Sequence, residues 1–207
     1  MSGRELLLTL LLLAISGGCT MTESSSATTT KITDPTMKAI LDHLKDNFSL
    51  TENEVVIKKL TPENLPGEVE QYYAEKKGSS GNIHYNYLVF NQQLFCSGVE
   101  GDFGRFLQTY DFLQKKDISE TQLLKLFRVL QFRIKDITIL DKPDLKDDNL
   151  KPYLSQLSEP KLSYSGDGGA ALTFFTRRIG KTTIEKWVAS IAPDYKVTVT
   201  NTPLPEG

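Results

Sequence analysis

Apolar positions along the chain change period several times, and each change predicts a change of element. In "TDPTMKAILDHLKDNF" (33–48), Met37, Ile40, Leu41, Leu44 and Phe48 recur at helical spacing and form one stripe. Asp34 can accept from the first free amides, and Pro35 suits the first helical position. His43 falls off the stripe, on the polar side, and is expected to be solvated. Past this helix the period becomes two. "EVVIKKL", "EVEQYYAEK", "NIHYNYLVF" and "QLFCSG" predict four strands, separated by turns such as "TPENLPG" and "KKGSSGN". Ile83, Tyr85, Tyr87 and Val89 alternate with Asn82, His84, Asn86 and Leu88, and the second and third strands should pair as an antiparallel hairpin.

Helical spacing returns after "GVEGDFG". Phe103, Phe106, Leu107 and Tyr110 predict a short helix. Ser119 and Gln122 make a capping-box pattern ahead of Leu123, Leu124, Phe127, Leu130 and Ile134. "IKDITIL" reads as a strand. Residues 141–160 read as a polar connection holding one short helix around Tyr153. "KLSYSG", "AALTFFTRR", "TIEKWVASI" and "YKVTVTN" then form a meander, with Trp187, Val197 and Val199 expected in its core. This order predicts an α+β fold: antiparallel sheets with amphipathic helices packed on one face. It also admits two helix-plus-sheet units divided near residue 100.

The opening of the chain follows a different logic. Leu6 to Ile15 is apolar apart from Thr9. As a helix it would cover about 15 Å, half of a bilayer core of about 30 Å, so it cannot span. It has the length of a signal-peptide core. Ser16, Gly17, Gly18 and Cys19 follow at once. This junction resembles the lipobox of bacterial lipoproteins, with Gly17 and Gly18 at the small positions and Ser16 where Leu is usual. The resemblance implies removal of residues 1–18 and lipidation of the Cys19 thiol. Thr20 stands where Asp would hold such a protein at the inner membrane of enteric-type bacteria. The implied location is therefore the cell envelope, at the outer membrane facing the periplasm. The expected partners are the membrane, through the lipid anchor, and an envelope protein. Residues 19–33 are mostly Ser and Thr and read as a flexible tether. Residues 34–207 read as the globular region.

Composition changes this picture mainly by exclusion. The net charge of −2 lacks the basic excess that nucleic acid requires. The basic cluster Arg177, Arg178 and Lys181 reads as the solvated end of a hairpin. With Cys19 lipidated, Cys96 has no partner in its own chain and reads as a buried, inert thiol. "GKTT" at Gly180 lacks the earlier glycine of a phosphate loop, because Phe175 stands there. "DFG" at Asp102 has no companion kinase signature, and "DKPDLKDDN" lacks the glycine and final glutamate of a calcium loop. No catalytic residue, cofactor or metal site is legible.

Two function classes stand. One is a tethered, non-catalytic binding or assembly protein. The other is an envelope hydrolase whose carboxylates are brought together by the fold. An acid pair in a deep cleft would favour the hydrolase, and a shallow aromatic groove the binding protein. The candidate binding face is Tyr73, Tyr85 and Tyr87, read either as a core face with hydroxyls at its rim or as an exposed groove.

Overall fold

The computed structural model describes residues 34–78, 84–131, 137–140, 147–178 and 183–205. The expectations for the leader, Cys19 and the tether lie outside these residues, as do those for Asn82, Ile83, Ile134 and Lys181.

Helix α1 (Pro35–Phe48) begins as its sequence predicts. Asp34 Oδ1 accepts from the amides of Thr36 at 2.8 Å and Met37 at 3.1 Å. Strands β1 (Val55–Leu60), β2 (Glu70–Lys76), β3 (His84–Phe90) and β4 (Gln93–Cys96) follow as an antiparallel meander in that order. Helices α2 (Asp102–Tyr110), α3 (Phe112–Lys115) and α4 (Glu120–Gln131) come next. The α4 start is the capping box its sequence announces: Gln122 Oε1 accepts from the Ser119 amide, and the Gln122 amide donates to Ser119 Oγ. Strands β5 (Ile137–Ile139), β6 (Lys161–Tyr164), β7 (Ala170–Arg178), β8 (Ile184–Ile191) and β9 (Val197–Pro203) build a second antiparallel sheet. Its order is β5-β7-β8-β9, with β6 also paired to β7. The short helix expected around Tyr153 is a 3-10 turn, Asp148–Tyr153.

The fold is α+β, and its helices and sheets alternate in layers. Face parity decides what each layer holds. On the first sheet, Val55, Tyr72, Ala74, Tyr87 and Cys96 point toward Ile40 and Leu44 of α1. Leu88, Phe90 and Phe95 point the other way, into the core with Phe106, Leu107 and Phe127. Leu172 and Phe174 of β7 close that core from the second sheet. The two helix-plus-sheet sets therefore share one core across residue 100. A smaller cluster, with Phe175, Ile184, Leu150 and Tyr153, lies behind the second sheet. There Arg177 is no solvated hairpin end: its guanidinium reaches the Asp147 carboxylate at 2.5 Å, and both side chains are half-buried.

One glycine fixes how the β8–β9 turn meets α2. A Cβ on Gly104 would collide with the Tyr195 carbonyl oxygen. Tyr195 is itself pinned, accepting the Leu113 amide and donating to Asp111. Gly104→Ala should thus reverse the usual helix-propensity gain of about 1 kcal/mol and destabilise by about 1–2. A urea midpoint at or above wild type would mean that the turn can move aside.

Candidate functional site

The three candidate tyrosines do not share a face. The β2–β3 register pairs Tyr72 with Tyr87, Tyr73 with Asn86 and Ala74 with Tyr85. Directly opposed residues project to the same side of a sheet. Tyr85 and Tyr87 therefore lie under α1, and Tyr73 lies on the opposite surface. Tyr87 is fully buried, and Tyr85 packs its ring on Phe48 with centroids 4.2 Å apart. Tyr73 is half-exposed and stacks on His84, centroids 5.5 Å apart. Val56 is exposed on a neighbouring strand of that same side. Tyr87 is a core residue, whereas Tyr73 and Tyr85 are each partly exposed, on opposite faces of the sheet.

The residues under α1 form a polar cluster that the helical pattern missed. His43 is not fully solvated, because its side chain is partly buried. Its Nδ1 lies 3.1 Å from the Tyr87 hydroxyl, and its ring meets Tyr87 edge-on at 5.5 Å. Burial lowers the His43 pKa from its ordinary 6.5, with Asp102 and Asp46 opposing and Arg105 assisting. The ring is thus neutral at neutral pH, so one nitrogen can accept the tyrosine proton. Burial drives the Tyr87 hydroxyl strongly upward, helped by Cys96 beside it. Cys96 is buried, as the apolar run around it predicts, and its Sγ accepts the Gly98 amide at 3.3 Å.

Asp102 completes the cluster. It is 2 % exposed, and its carboxylate accepts the Cys96 amide at 2.7 Å and the Arg105 guanidinium at 2.8 Å. Arg105 in turn donates to the Leu94 carbonyl at 3.1 Å. Cys96 N–H and Leu94 C=O are the groups that β4 turns away from β3, as the bond from Ser97 N to Asn86 O fixes. Asp102 and Arg105 therefore seal the open edge of β4. Burial raises the Asp102 pKa, against the Cys96 amide and Arg105.

Open grooves also lie among the described residues. One of about 510 Å³ runs beside α4 between Glu120, Lys125, Arg128 and Glu159. Another, about 540 Å³, lies between the start of α1 and the β3–β4 turn, with Glu68 and Glu70 on its wall. A third, about 430 Å³, lies at the β6–β7–β8 end. Glu70, on the wall of the second groove, is not set up as a proton donor. Lys59 at 2.5 Å and the Tyr72 hydroxyl at 2.9 Å hold it below its ordinary pKa. Among the described residues no cluster of His, Cys, Asp and Glu could hold a metal ion, and no helix is long and apolar enough to cross a membrane.

No family model, curated protein or solved structure matches the chain.

The neutral His43 has a pH consequence. Its folded pKa lies below the unfolded value, so acidification protonates the unfolded chain first. Stability should fall as pH drops through about 6.5 and level off below the folded pKa. Asp102 acts with the opposite sign nearer its own ordinary range, because its folded pKa is raised. Comparing wild type with His43→Gln isolates the histidine. The wild-type urea midpoint should drop more steeply between about pH 7.5 and 5.5. Parallel profiles would show that burial does not perturb the ring.

Proposed function

We propose that this chain is a lipid-anchored envelope protein with a non-catalytic binding or assembly role. The observation that carries this reading is the apolar run Leu6–Ile15, stopping at Gly17-Gly18-Cys19 and followed by a Ser/Thr tether to the folded region. More than one acyl chain gives stable membrane attachment, which is what lipidation at such a cysteine supplies. The tether would average roughly 20 Å as a coil and hold the α+β region close to the membrane.

The chemistry of the folded region favours binding over hydrolysis. Asp102 and Cys96 are buried, His43 is partly so, and their hydrogen bonds tie β4, α1 and α2 to their neighbours. Glu70, on an open groove, is tied into an ion pair with Lys59 and a hydrogen bond from the Tyr72 hydroxyl. The partner expected is another envelope protein, with no nucleic acid.

Cys19→Ala tests the anchor. The variant is expected to remain unprocessed or to appear in the soluble fraction, while the parent fractionates with membranes. A variant that is cleaved and retained like the parent contradicts the proposal.

A further inference from the structure

We infer that β9 is a self-association edge, and that its partner is the β9 strand of a second copy of this chain, paired antiparallel. The inference is independent of whether Cys19 is lipidated.

The strand edges of this fold are treated differently. The edge of β4 is sealed by Asp102 and Arg105. Strand β1 carries the positive charges of Lys58 and Lys59, which both copies would bring to a paired ribbon. Strand β9 reads "VTVTNTP" and carries no charge. Residues 198–203 are all exposed, in a run of β-branched and small polar side chains.

Its outward groups follow from the ladder. The Ala192 amide donates to the Lys196 carbonyl and the Leu204 amide to the Ile184 carbonyl. With the β8–β9 register, this directs the backbone groups of Thr198, Thr200 and Thr202 toward β8. Those of Val197, Val199, Asn201 and Pro203 point away, and no described residue bonds to them. Pro203 lacks an N–H and ends the usable edge.

The segment is complementary to itself. With a twofold axis at Val199, Val199 meets its own copy, Val197 meets Asn201, and Thr198 meets Thr200 on the other face. Each outward amide then finds an outward carbonyl. Val199 was expected in the core, yet it is 36 % exposed. Opposition to its own copy covers it. No charged side chain lies in this register.

A single strand pair is smaller than a standard interface of about 1,600 Å², so association should depend on concentration. The test is sedimentation of the full chain in mild detergent over about a hundredfold concentration range into the high micromolar. Wild type should rise toward twice the chain mass. Val199→Lys places two lysines across the axis, and Asn201→Pro removes an outward donor without touching the bonds to β8. Both should stay at one chain mass, with thermal midpoints close to wild type. If Asn201→Pro misfolds, Val199→Lys alone decides. A wild type that stays monomeric throughout, whether β9 serves another protein or none, overturns the inference. So do variants that dimerise as strongly as wild type.

Discussion

Tyr87→Ala should cost about 3–5 kcal/mol, a large part of the roughly 5–15 that holds a typical domain folded. The side chain is fully buried at the centre of the α1-facing cluster. Truncation removes its contacts with α1 and opens a cavity that rigid strand neighbours cannot fill. It also strips His43 of the hydroxyl that its Nδ1 faces at 3.1 Å. Tyr87→Phe separates these effects. It keeps the ring, loses the hydrogen bond, and should cost about 1 kcal/mol. Tyr73→Ala, on the exposed side, should cost about 0.5 or less. Urea unfolding of all three gives the ranking. A Tyr87→Ala midpoint close to wild type would mean that α1 does not pack on this face.

Asp102→Ala should cost about 3 kcal/mol, close to what removing one side of a buried charged hydrogen-bond pair costs. The Cys96 amide, which donates to it at 2.7 Å, would be left buried without an acceptor. Arg105 would lose the carboxylate that holds it over the Leu94 carbonyl, and the β4 edge would open. Most of Arg105 reaches solvent, so its own charge adds little to the loss. Asp102→Asn keeps an acceptor for the amide. Because burial disfavours the charge at this site, Asn should lose much less than Ala. Equal losses would assign the effect to the charge and not to the sealed edge.

Long periodic segments were legible in the sequence: α1 with its Asp34 cap, the first four strands, the α4 capping box and the closing meander all read directly from spacing. What escaped depends on registers and neighbours. Tyr72 and Tyr73 are adjacent, so one must face in and the other out. Only the pairing with β3 says which, because a one-residue slip exchanges the faces. His43 is polar by its place on α1, but the β3 strand beneath supplies Tyr87 at the margin of the stripe. Val199 alternates correctly for a core position, yet among the described residues β9 is an edge strand and Val199 is 36 % exposed. The β4 seal left one trace that spacing could have found. Asp102 and Arg105 stand three apart at a helix start, immediately after a strand. That pattern can serve the strand edge as well as the helix.

Mass spectrometry of the amino-terminal peptide, released from protein isolated with membranes, tests the central claim most directly. Lipid anchoring predicts a peptide that begins at Cys19, carries a diacylglyceryl mass on its thiol, and runs on into the Ser/Thr tether. A peptide that begins at Met1 or Ser2, or an unmodified Cys19 in the mature protein, would contradict it.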